Sequence, residues 1–143
     1  MLNFQFAFDH HNKIEQKLIK QRNGKLLIDI QGRLEVIINN RIYFLEPSLA
    51  LLEFAISLHK WNRGENYYYY TMEHDEREGP LLAFMKNTKN QWSLFSIWQL
   101  YKSDELLTLE MIEDAVDDFL HQFDAELLRY YGFRINDFIR NKR

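Results

Sequence analysis

Hydrophobic and polar residues alternate over the first nine positions. Leu2, Phe4, Phe6 and Phe8 fall on one face, with Asn3 and Gln5 on the other. A period of two marks a half-buried strand. From His10 to Arg22 the chain turns polar and basic. Ile14, Leu18 and Ile19 there give either a short amphipathic turn or a continued strand. Three short strands are then predicted. Lys25 to Ile30 and Arg33 to Ile38 are parted by Gln31-Gly32, and Arg41 to Leu45 follows Asn39-Asn40. Asn tolerates the positive φ that a tight hairpin demands. Their register is not readable, because Ile and Leu occur on both faces.

At Pro47 and Ser48 the period changes. Leu49, Leu51, Leu52, Phe54, Ala55, Ile56, Leu58 and Trp61 leave a narrow polar stripe of Glu53, Ser57 and Lys60. This predicts an enclosed helix opened by Pro47, capped by Ser48 and central to the core. His59 falls outside the stripe and reads as a hydrogen-bonded histidine at the edge of the core.

Strand signals return after Gly64. Asn66 to Glu73 contains four consecutive tyrosines, Tyr67 to Tyr70. One pair is expected to pack inward and the other, with Tyr68 and Tyr70 as its candidates, to offer aromatic area to a partner or a second copy. Leu81 to Lys86 and Gln91 to Leu100 follow, parted by the turn Asn87 to Asn90. Aromatics on both faces of the latter predict a central strand packed on two sides.

The last long pattern runs from Thr108, a residue that can cap a helix, to Gly132, a residue that can end one. Leu109, Ile112, Val116, Phe119, Leu120, Phe123 and Leu127 form its apolar side. Glu110, Glu113, Asp114, Asp117 and Asp118 form the opposite face, with His121 among them. Between Ser103 and Glu126 there are nine Asp or Glu residues and no Lys or Arg. Such a face repels itself and costs stability unless something uses it. Ile135, Phe138 and Ile139 predict a short final helix. The reading is α+β: one domain over residues 1–143, an antiparallel-rich sheet of six to seven short strands, two main helices and a short C-terminal one.

Composition narrows the function classes. The 143 residues are 46% hydrophobic and 15% aromatic, with only five Gly and two Pro, as befits an ordered domain large enough to bury a core. A net charge of −3 argues against nucleic-acid binding, which needs a concentrated basic surface. No apolar run is long enough for a membrane span, and the start lacks a basic leader, so a cytoplasmic protein is expected. Without cysteine there are no disulfides, thiolate chemistry or cysteine zinc sites. His10 and His11 are adjacent and point to opposite faces of an extended chain, which does not make a metal site. No cofactor is implied. The polar run Glu73-His74-Asp75-Glu76-Arg77-Glu78 could hold an oxygen-ligand cation or a His–carboxylate acid–base pair, but it lacks the ligand pattern of a calcium loop, and a solvated hairpin connection accounts for it better. There is no P-loop, dinucleotide fingerprint or nucleophile elbow, which points away from an enzyme.

In size, acidity and layout the chain resembles small single-domain bacterial immunity and antitoxin-type proteins. The run Trp92-Ser93-Leu94-Phe95-Ser96-Ile97-Trp98-Gln99 followed by an acidic helix resembles uncharacterised families from Gram-positive bacteria. Neither resemblance supplies a motif with an assigned role. The acidic helix itself points to a non-catalytic binding protein, an inhibitor of the immunity or antitoxin type, that docks this helix on a basic partner. The different-class alternative is a small enzyme or ligand-binding domain that uses residues 73–78. A homodimer through the tyrosine strand is a third reading. The acidic face can also be solvated, or paired internally with Lys13, Lys17, Lys20, Arg22 and Lys25 or with Arg140, Lys142 and Arg143.

Overall fold

A computed structural model describes residues 1–10, 13–71 and 76–140. His11, Glu73, His74, Asp75, Lys142 and Arg143 lie outside them. The fold is α+β, and its six strands divide into two antiparallel three-stranded sheets. The first holds β1 (Leu2–Phe8), β2 (Gln31–Ile38) and β3 (Arg41–Ala50) in that order. Leu2 stands opposite Ile38, Phe4 opposite Val36 and Phe8 opposite Gly32. These residues form the buried face of the sheet. A Cβ at Gly32 would come within 2.1 Å of the Ala7 carbonyl oxygen, so the close approach there requires glycine.

Between β1 and β2 the chain forms two short helices, α1 (Gln16–Gln21) and α2 (Leu26–Asp29). The expected strand at Lys25 to Ile30 is therefore corrected. Asn23 Oδ1 accepts the Lys25 N–H at 2.9 Å and starts a helical turn. Lys25 then pairs with Asp29 one turn on, at 2.8 Å. Leu26 and Ile30, both fully buried, sit four apart, a spacing that fits a helix face.

The helix expected from Pro47 is corrected too. β3 runs through Pro47 and Ser48 to Ala50, and α3 spans Leu51–His59. Proline is tolerated because β3 is an edge strand and needs no donor there. Ser48 does not cap α3, since its N–H instead reaches Glu46 Oε1 at 3.1 Å. The central role of the helix stands: Leu51, Leu52, Phe54, Ala55, Ile56 and Leu58 are buried. So is Trp61, whose Nε1 donates to the Glu65 carbonyl at 2.8 Å. His59 is exposed, not at the core edge as expected.

The second sheet holds β4 (Tyr67–Tyr69), β5 (Leu82–Lys86) and β6 (Trp92–Phe95) in that order. Tyr67 and Tyr69 point inward onto α3: the Tyr67 hydroxyl bonds Ser57, and the Tyr69 hydroxyl donates to Glu53 at 2.9 Å. Burial pushes the pKa of both phenols well above the ordinary value. β5, not the Gln91–Leu100 segment, is central, and β6 ends at Phe95. Beyond it the buried Ser96 hydroxyl accepts the Trp98 N–H at 2.9 Å and turns the chain. The chain then meets β3, with the Leu100 N–H on the Tyr43 carbonyl at 2.8 Å. A register shift between Val36 and Ile37 leaves Tyr43 unmatched on β2, and it and Phe44 are both buried. The Tyr43 hydroxyl lies 2.6 Å from Gln99 Oε1 and 3.2 Å from the Leu94 carbonyl, tying the two sheets together.

The acidic helix is α4 (Leu109–Tyr131), and α5 (Ile135–Arg140) closes the described fold. Thr108 Oγ1 accepts the Met111 N–H at 3.1 Å, and Gly132 ends the helix at φ 76°. α4 packs along β1 through phenylalanines that meet edge-on or tilted. Ring centroids are 6.1 Å apart for Phe4–Phe119, 5.4 Å for Phe6–Phe123 and 5.5 Å for Phe8–Phe123. Phe54 of α3 meets Phe119 at 5.4 Å, so this helix–strand layer is continuous with the central helix. Among the described residues, no helix is long and apolar enough to cross a membrane.

Candidate protein-binding site

The apolar stripe of α4 decides where its carboxylates go. Ile112, Val116, Phe119, Phe123 and Leu127 are buried against β1 and α3. At about 100° per residue the acidic residues then occupy the opposite arc, with two distinct borders. Glu113 and Asp117 sit on one border. Asp114 and Asp118, one turn apart, sit on the other.

The first border is already used inside the molecule. Arg63, in the connection from α3 to β4, reaches Glu113 at 3.4 Å and makes a closer ion pair with Asp117. The hydrogen bond that the Arg63 guanidinium donates to Asp117 raises it above its ordinary pKa, and Glu113 adds to this. Other acids of the segment have structural tasks. Asp124 accepts the Ile135 N–H at 2.9 Å and so starts α5. Glu126 lies 3.6 Å from Arg129. Glu110 is exposed in the first turn of α4, where the helix dipole favours a negative charge.

The second border faces β1. Met1, Leu2 and Asn3 on one side and Met111, Asp114, Ala115 and Asp118 on the other enclose a surface groove of about 300 Å³. Its floor is apolar and its rim carries two exposed carboxylates. Gln122 donates to Asp118 at 2.9 Å, a neutral contact that leaves the charge in place. No Lys or Arg among the described residues pairs with Asp114 or Asp118. The internal pairing expected from the basic segments is not formed by their described members. Lys25 holds Asp29, and Arg22 lies over the Phe133 ring at 4.9 Å.

The other candidates separate. His121 is exposed on the α4 surface. Tyr68 is exposed on β4, where Asn66 donates to its hydroxyl at 3.2 Å, and Tyr70 is half-buried. Because Tyr67 and Tyr69 turn toward α3, Tyr68 points to the opposite side of its sheet. The structure therefore does not join the tyrosines to the α4 groove. Of the alternative segment 73–78, residues 73–75 lie outside the described residues, and Arg77 and Glu78 are exposed. A separate cavity of about 220 Å³, lined in part by Glu46, Ser48, Glu53 and Trp98, lies beside α3. The Glu53 carboxylate there already accepts the Tyr69 hydroxyl.

Sequence reasoning found the carboxylates but not Arg63 or the β1 side of the groove. Arg63 gives no periodic signal, and β1 is more than a hundred residues from α4 in the chain.

Residues 4–129 match the model of a family described as a domain of unknown function (DUF7878), and the chain belongs to that family. The match takes in Phe4–Phe8 of β1 and nearly all of α4, so it includes the α4 side of the groove but not Met1, Leu2 and Asn3. No curated protein and no solved structure matches the chain.

Proposed function

We propose that the chain is a non-catalytic protein-binding module that docks the exposed border of α4 on a basic surface of a partner protein. The observation that carries this reading is Asp114 and Asp118: exposed, one turn apart, without a cationic partner among the described residues, and set beside an apolar groove. Like charges at that spacing cost a few tenths of a kcal/mol when nothing offsets them. A partner's Lys or Arg side chain fits the site in both its parts. Its aliphatic stem covers Met111 and Leu2 while its charged head meets the carboxylates. Long-range attraction speeds the encounter, and the groove supplies the buried contact. Among basic partners, an enzyme with a cationic substrate groove, such as a nuclease, suits an inhibitor of the immunity or antitoxin type.

Affinity capture from the cells that make the protein tests this. Wild type is compared with Asp114→Lys/Asp118→Lys and with Glu113→Gln/Asp117→Asn, which alters only the Arg63 border. The expected result is a basic protein retained by wild type and by the second variant and lost with the first. The same proteins on all three baits would contradict the proposal.

A further inference from the structure

The main chain of β1 points to the form of the partner. β1 is the outer strand of its sheet. The Asn39 N–H donates to the Met1 carbonyl at 2.8 Å, and the Asp9 N–H to the Gln31 carbonyl at 2.9 Å. Both pairs share the register of Leu2 opposite Ile38. In an antiparallel pair the bonded residues alternate. Odd-numbered residues of β1 therefore bond to β2, and Leu2, Phe4, Phe6 and Phe8 aim their N–H and C=O groups away from it. No backbone group among the described residues pairs with them.

Proteins commonly protect such an edge with lysine, proline or a bulge. β1, Leu-Asn-Phe-Gln-Phe-Ala-Phe, has none of these, and its register is unbroken over seven residues. The opposite edge of the same sheet is protected. β3 carries Arg41 and Pro47, two register shifts, and the Leu100 segment against Tyr43. The unprotected edge also borders the α4 groove, at its Met1–Asn3 end.

We infer that the partner binds as an extended, basic polypeptide segment that adds a strand to the free edge of β1 and seats its Lys or Arg side chains against Asp114 and Asp118. This rests on the reading of α4 as a docking face and gives the partner's shape. Main-chain bonds to a strand edge supply affinity, and alternate side chains in flanking pockets supply specificity. A second copy of this chain does not fit. Pairing β1 with β1 would bring two sets of Asp114 and Asp118 toward one edge, where like charges oppose association.

The probe is a six-residue peptide alternating lysine with valine. It is compared with the same peptide N-methylated on alternate amides and with a glutamate version. Amide exchange is followed by NMR on the full chain. In the lysine complex the Phe4, Phe6 and Phe8 amides should slow by about tenfold or more, while Asn3, Gln5 and Ala7, already bonded, stay as they were. N-methylation should weaken binding by about tenfold or more, because it removes main-chain donors that reach the β1 edge. The glutamate peptide should not bind. Resonance shifts at Asp114 and Asp118 without protection of Phe4, Phe6 and Phe8 would overturn strand addition and leave the docking face standing. Absence of binding, with capture through α4 intact, would likewise overturn this inference alone. A dimer of the free protein that protects the same amides would overturn it in favour of self-pairing.

Discussion

Asp114 and Asp118 differ from Glu113 and Asp117 by one position each, yet their roles separate. The pair that faces Arg63 is held within the fold, and the pair that faces β1 is not. Arg63→Ala should consequently lower stability by under about 1 kcal/mol, since the pair is partly exposed and screened. A small fall in denaturation midpoint checks this; a large one would make Arg63 a core contact. Buried phenols give a second expectation. Burial raises Tyr43 from 10.0 to about 12 and moves Tyr67 and Tyr69 in the same direction. In the unfolded chain these groups release protons first as pH rises. Their contribution to stability is complete below about pH 10 and is lost as pH climbs through the folded-state values. Denaturant midpoints should therefore fall steeply above about pH 10, and less steeply in Tyr67→Phe, which has one phenol fewer to ionise. A flat profile across that window would show that the phenols are solvated.

At the scale of elements, the parts legible in the sequence are those whose period and signals agree. β1 and α4 both carried clean patterns, and the cap at Thr108 and the glycine at Gly132 bound α4 as expected. Elsewhere local signals competed. Leu26 and Ile30 suit either a strand or a helical turn until Asn23 starts the turn. Pro47-Ser48 looks like a helix start, but pairing of Leu49 with Gly32 holds it in β3. Trp98 and Leu100 have the pattern of a strand interior, but a side-chain bond at Ser96 turns the chain toward β3. Each of these outcomes depends on a distant strand or a single side-chain bond, which hydrophobic period does not encode. The central helix behaves as its pattern implied. Leu52→Ala should cost roughly 2–5 kcal/mol through lost burial and a residual cavity. Thr108→Ala should cost about 1 kcal/mol by freeing an N–H of α4. Chemical denaturation measures both, and an unchanged midpoint for Leu52→Ala would make α3 peripheral.

Over the whole molecule, charge and edge coincide. The carboxylates were readable in the sequence, whereas the groove beside them exists only because β1 packs along α4. Neither α4 nor β1 alone makes the groove. Its negative rim comes from α4, and the free edge of β1 reaches it at Met1–Asn3. The surface also explains why charge reversal should spare the fold. Asp114 and Asp118 lie outside the apolar stripe, and replacing them with lysine relieves repulsion, so the melting temperature should hold or rise.

In the proposed role this border of α4 recognises a basic protein through its charge. The most direct measurement is the association rate of the partner captured by the wild type, followed across ionic strength for wild type and Asp114→Lys/Asp118→Lys. Exposed charges are screened over about 8 Å at physiological salt. The wild-type rate should therefore drop as salt rises, while the double variant associates slowly with little salt dependence. Equal rates with equal salt dependence in the two proteins would contradict the claim and leave α4 a solvated surface.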